Sequence, residues 1–188
     1  AGNGAGGIVI VRYQIGSISP AKATGGAISF YGDKTIHTFV GTGTFTAPGS
    51  FSETVEYVVV GGGGGAGGGL GGGGGAGGYR TGTTPISGPS TTTVTIGAGG
   101  HGWFNTPSNS GTIPAALGDG TSSSFGSPLT AKGGGAGAGY PGNGNSSSDP
   151  NGGSGGGGAG AQATSGGSGG TYGNDGGQGQ PTGARRGG

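Results

Sequence analysis

Two kinds of segment alternate along this chain: short β-branched runs, and long stretches with almost no apolar side chain. Ile8-Val9-Ile10-Val11-Arg12-Tyr13-Gln14-Ile15 follows Gly6-Gly7 and predicts a strand buried on both faces at its start. Ala27-Ile28-Ser29-Phe30-Tyr31 and Lys34-Thr35-Ile36-His37-Thr38-Phe39-Val40 flank Gly32-Asp33 and predict a tight hairpin. In the second of these strands Ile36, Thr38 and Val40 share one face, and Thr35, His37 and Phe39 the other. Two more runs, 43–46 and 51–60, are joined by a Pro48-Gly49 turn. The later run alternates as far as Tyr57 and then becomes wholly apolar at Val58-Val59-Val60. That change predicts cover on both sides, with Gly7 to Ile15 the candidate for part of it.

After Val60 the pattern changes. From Gly61 to Gly78 only Ala66, Leu70 and Ala76 interrupt glycine, and further glycine-rich stretches occupy 97–102, 133–144 and 152–188. Strand-like runs at 91–96, 122–125 and 129–132 separate them. Valine is stiff and β-favouring, whereas glycine loses the most backbone entropy on ordering, so ordered polyglycine has to be held from outside. An extended threefold helix like polyproline II can supply this, because its amides point outward and bond neighbouring strands, and only glycine allows the close approach. The competing expectation is a flexible linker, strongest for 142–188. Anchors at the ends of glycine runs, Leu70, Tyr79, Trp103-Phe104, Tyr140 and Tyr172, argue for order, since a simple linker has no use for them. The expected fold is all-β with almost no helix: a small antiparallel β-meander or sandwich followed by packed, polyproline-II-like glycine strands. Four parts are expected, namely a closing strand and linker (1–24), the meander (25–60), a glycine-rich layer (61–141) and a glycine/serine-rich tail (142–188).

Composition narrows the functional classes. Glycine supplies 61 of 188 residues, yet runs such as Gly61 to Gly65 break the every-third-residue period that a collagen helix requires. The apolar fraction is 27%, too low for a large oily core. A formal charge of +1, with Arg185-Arg186 the only basic pair, leaves no electrostatic footprint for nucleic acid. No apolar run is long enough to span a membrane as a helix. With no cysteine there is no disulfide or thiolate metal site, and without methionine or a signal sequence the chain reads as a processed piece of something longer.

Catalytic motifs fail on context. Gly152-Gly153-Ser154-Gly155-Gly156 and Gly166-Gly167-Ser168-Gly169-Gly170 match a nucleophile elbow in letters, but that motif needs a strand before it and a helix after it. Asp149 and Asp175 lack the regular spacing of a calcium loop, and Asn145-Ser146-Ser147 is a formal glycosylation acceptor. His37, flanked by threonines, reads as a satisfied structural histidine. His101, Trp103 and Phe104, with Tyr140, are candidate receptor contacts, because Trp and Tyr dominate interface energetics; the alternative is that the aromatics cover the glycine layers. No catalytic, cofactor-binding or metal-binding residue is expected.

Thr35-Ile36-His37-Thr38-Phe39, Gly43-Thr44-Phe45-Thr46-Ala47-Pro48-Gly49 and Val55 to Gly65 together resemble the start of the glycine-rich domain of bacteriophage tail-fibre and adhesin proteins, seen also in repetitive bacterial surface proteins. Ala76 to Gly82 and Val94 to Gly100 continue the resemblance, and Gly6 to Tyr13 is similar to the strand that ends such a unit. Here that closing strand comes first. The resemblance thus implies a chain cut across a tandem array or fibre, with a sheet edge that a neighbour completes by strand addition. Residues 8–15 are expected to pair with a preceding subunit or to fold back beside 55–60, making Ile8, Val9, Ile10, Val11, Tyr13, Val58, Val59 and Val60 the assembly strands. The function expected is a non-enzymatic fibre module, extracellular or on a virion surface, whose partners are copies of itself. A receptor-binding tip for cell-surface glycan or protein, and an ice-binding protein with a flat threonine face, are the alternatives.

Overall fold

The computed structural model describes residues 2–15, 21–103, 118–139, 153–160 and 165–180. Nine strands form in them: β1 (Ile8–Gln14), β2 (Ala27–Tyr31), β3 (Lys34–Phe39), β4 (Gly43–Ala47), β5 (Ser52–Val60), β6 (Tyr79–Ser87), β7 (Ser90–Thr95), β8 (Ser123–Phe125) and β9 (Leu129–Ala131). The fold is all-β, with two antiparallel sheets and essentially no helix. One sheet runs β2-β3-β1-β5-β6 and the other β4-β7-β8-β9.

Of the meander and the sandwich, the sandwich forms. After the β2–β3 hairpin, whose Gly32 turns at φ +59°, the chain crosses to the second sheet, where β4 pairs with β7 (Thr44 opposite Thr93). It then returns as β5. The inner face of the first sheet carries Val9, Val11, Tyr13, Thr35, His37, Phe39, Val55, Tyr57 and Val59, all buried, while Ile36 and Thr38 are half-buried and Val40 is exposed. Phe45 of β4 closes the core from the other side, edge-on to Tyr13, His37, Phe51 and Phe125 at centroid distances of 5.0–6.4 Å. Such aromatic pairs add specificity to an area of burial that glycine keeps small.

Two local expectations change. Val58 and Val60 are only half-buried while Val59 is fully buried, so the apolar triplet is not covered equally on both faces. β1 does not lie over it but beside it, as the neighbouring strand of the same sheet. The start of β1 likewise alternates, with Val9 and Val11 buried and Ile8 and Ile10 half-buried. β6 is a long strand that the sequence disguises with Gly82 and Pro85. Both residues fit, because Pro85 sits on an edge strand opposite Thr54, where its missing N–H faces away from β5. A Cβ at Gly82 would stand 2.8 Å from the Tyr57 hydroxyl.

Candidate assembly site

The glycine runs form a second ordered layer, continuous with the sandwich. Its rule is visible in the amide bonds of 61–67. Gly61, Gly64 and Gly67 donate to Gly78, Gly75 and Gly72; Gly62 and Gly65 donate to Thr121 and Gly118; Gly63 and Ala66 donate to Ala5 and Gly2. Successive N–H groups therefore point in three directions and return every third residue, the signature of a threefold extended helix rather than a pleated strand. Carbonyls complete the set, Gly62 and Gly65 accepting from Gly134 and Gly137, and Gly63 and Ala66 from Gly100 and Trp103. Segment 61–67 is thereby enclosed by 2–5, 72–78, 97–103, 118–121 and 132–138. Buried backbone groups are paired without a conventional sheet.

Sterics follow the same period. A Cβ at Gly61, Gly64 or Gly67 would overlap the carbonyls of Lys132, Gly135 and Ala138, and one at Gly62 or Gly65 those of Ala98 and His101. At Gly63 the nearest atom would be 3.7 Å away, and at Gly73 there is open space. Alanine occurs three residues along from each of these, at Ala66 and Ala76. The alanines that interrupt the run mark the one row of each strand with room for a methyl group. Part of the tail joins the same layer: Ser154, Gly157 and Gly160 donate to Ala76, Gly73 and Leu70, and Gly167 and Gly170 donate to Gly156 and Gly153.

Residues 2–14 tie sandwich and glycine layer together. Residues 2–5 fill one position beside 61–67, with Gly4 also donating to Gly100. The chain then enters β1, antiparallel to β3 on one side (Val9 opposite Phe39) and to β5 on the other (Ile8 opposite Val60, Val9 opposite Val59, Ile10 opposite Val58). Ile8, Val9, Ile10, Val11 and Tyr13 thus meet Val58, Val59 and Val60 in one sheet, through the fold-back arrangement. The lattice role of Gly2 to Ala5 is invisible to strand patterning, although its glycine content matches that of the later runs.

Beside this strand lies a buried polar chain. His37 Nδ1 is 2.7 Å from the Gly25 carbonyl, which can only accept, so Nδ1 carries the proton. Nε2 then accepts from the Tyr13 hydroxyl at 3.1 Å, and that hydroxyl accepts from the Ala23 amide at 3.0 Å. Burial holds His37 below its ordinary pKa, opposed by the Gly25 bond, and pushes the Tyr13 phenol up, opposed by the Ala23 bond. The neutral histidine is a structural brace with both nitrogens engaged. On the outer face Glu56 takes Arg12 and Lys34 as partners, and their hydrogen bonds lower its pKa.

The candidate receptor residues are placed as follows. Trp103 donates its amide to Ala66, and its ring occupies the space that a Cβ at Gly139 would need, so the half-buried indole covers the glycine layer. His101 is exposed, with its carbonyl against Gly65. Phe104 and Tyr140 lie outside the described residues, as do Asn145 and Asp149. Asp175 accepts from the Gly169 amide. Asp119, its pKa raised by burial against a bond from the Ala136 amide at 2.7 Å, is a lattice cap. Among the described residues no three His, Asp or Glu side chains gather around one point.

No curated protein and no solved structure matches this chain. A model of the family described as a glycine-rich domain matches residues 37–188, from β3 through the lattice and the tail. The chain belongs to this glycine-rich domain family.

Proposed function

We propose that this chain is a non-enzymatic structural module of an extracellular or virion fibre, of the kind found in phage tail fibres, adhesins and repetitive bacterial surface proteins, in which copies join by exchanging residues 2–15 and by packing glycine strands. The observation that carries this reading is the place of that segment: β1 is the middle strand of the first sheet, and residues 2–5 fill one of the positions around 61–67. Without it, β3 and β5 would face each other across an empty strand position, and 61–67 would lose a neighbour. The slot is lined by β3, β5 and the 61–67 glycine strand, so the same segment of another copy would make the same contacts in it. Passing each copy's segment to the next makes an open, head-to-tail contact, which propagates as a filament. Rigidity then comes from backbone hydrogen bonds rather than from a large core.

Cysteine pairing tests the exchange, because the chain has no cysteine of its own. Ile10 and Val58 are register partners, close enough for a disulfide. Ile10→Cys and Val58→Cys chains, each made separately, unfolded together and refolded as a mixture, are expected to form a crosslinked pair. Absence of that product, with both chains folded, refutes exchange.

A second reading has one specific observation in its favour. The outer face of the second sheet shows Thr44 and Thr46 of β4 beside Thr93 and Thr91 of β7, with Thr95 continuing the β7 row, all exposed and free of neighbouring charge within the sheet. These threonines form a two-strand array, with spacings of about 6.7 Å along a strand and about 4.8 Å across strands. An ice-binding role requires such a flat hydroxyl and methyl array. Inhibition of ice recrystallisation that Thr93→Lys abolishes supports it, and an inactive parent chain removes it.

A further inference from the structure

Among the described residues, nothing guards the edge in which the first sheet ends. β2 has all five of its residues exposed, and none is charged or proline. Natural edge strands are generally protected by lysine, proline, bulges or a covering segment. Two of the other edges, β6 and β4, have such protection. β6 carries Pro85, and Arg80 reaches from it to the Pro128 carbonyl. β4 is capped by Thr24, whose amide and carbonyl both bond Thr46.

Which backbone groups of β2 are free follows from the register. Ile15 donates to Asp33, so Asp33 and the odd-numbered residues of β3 bond towards β1, while Lys34, Ile36 and Thr38 bond towards β2. Their partners Tyr31, Ser29 and Ala27 therefore turn their amides inward. The amides and carbonyls of Ile28 and Phe30 point to the open edge. The side chains of these two residues lie on the same sheet face as their partners His37 and Thr35, which are fully buried. Ile28 and Phe30 are inner-face residues that the second, smaller sheet does not reach, and they remain 40% and 56% exposed.

We infer that a second copy of this chain docks on β2, antiparallel about a two-fold axis through Ser29. The strand is complementary to itself in that register. Ile28 of each copy falls opposite Phe30 of the other, the pair with outward hydrogen-bonding groups, and Ser29 faces Ser29 as a non-hydrogen-bonded pair. Self-pairing brings identical charges together unless the edge is neutral, and this edge is neutral. The nearest charge, Asp33, falls opposite Gly25 of the second copy. A two-fold contact closes on itself, so in a fibre it joins two strands of units side by side. It does not depend on exchange of residues 2–15.

Ser29→Cys tests the register directly, since non-hydrogen-bonded partners lie about 4.5 Å apart between Cα atoms, within disulfide reach. The full chain carrying Ser29→Cys is expected to oxidise to a covalent dimer under mild conditions. Ala27→Cys, which faces Tyr31 in the other copy, stays uncrosslinked alone but crosslinks when mixed with Tyr31→Cys. In sedimentation of the cysteine-free chain, Ile28→Lys is expected to halve the mass of the associated species, from dimer to monomer where residues 2–15 are not exchanged. Equal crosslinking of Ser29→Cys and Ala27→Cys overturns the inference, as does a monomer at all concentrations. Crosslinking at Ser29 in chains that fail the Ile10 and Val58 test separates this contact from strand exchange.

Discussion

Moving one methyl group by one residue separates an ordered glycine lattice from a flexible glycine linker. At Gly62 a Cβ overlaps the Ala98 carbonyl, so Gly62→Ala pushes 97–103 away from 61–67. Two amide bonds hold those segments together, Gly100 to Gly63 and Trp103 to Ala66, both 2.8–2.9 Å long. Each buried donor left unpaired costs about 1–3 kcal/mol, so the substitution costs about 2–6 kcal/mol. At Gly63 the same methyl meets nothing closer than 3.7 Å and joins the row that already holds Ala66. There the reduced freedom of the unfolded chain stabilises by about 0.4–1 kcal/mol. In calorimetry Gly62→Ala should lower Tm by roughly 4–24 °C, at roughly 2–4 °C per kcal/mol for a domain of this size, while Gly63→Ala leaves it unchanged or slightly raised. Equal Tm values for the two variants would refute the threefold packing.

Other perturbations probe the sandwich and its charges. Phe45→Ala, which removes the ring touching four others, should cost about 3–5 kcal/mol in denaturant unfolding. His37 has a lower pKa folded than unfolded, so the unfolded chain binds the extra proton first. Its contribution to stability is therefore complete above about pH 6.5 and is lost as pH falls below that value, giving a Tm that declines into the acid range. Asp119, raised instead, makes the opposite contribution, and Asp119→Asn should raise Tm at pH 7 while keeping an acceptor for Ala136. Arg12→Ala breaks an exposed ion pair and should shift stability by less than about 1 kcal/mol.

Strand composition reveals much of this architecture because β-branched runs carry their own signal. Ile8 to Gln14, the Gly32-Asp33 hairpin and Ser52 to Val60 form where their patterns place them. The partition between two sheets is less legible, because Phe45 and Val55 have the same alternating context and only the β4–β7 register separates them. β6 is hidden because an edge strand tolerates proline and because Gly82 yields its space to Tyr57. In the glycine layer the alanine positions do encode the threefold row, although a local reading finds no partner for it. The partners of Gly61 to Gly67 come from five separate segments, and no short-range periodicity identifies them. His37 is legible as structural, but its bond to Gly25 depends on a backbone turn at φ +114° that only the folded chain displays.

Electron microscopy of the assembled protein decides whether copies of this module build a fibre. Filaments with an axial repeat that fits one chain, and with the glycine layer continuous along the axis, are expected. A monodisperse monomer with no repeat, at concentrations where the chain is fully folded, would contradict fibre assembly.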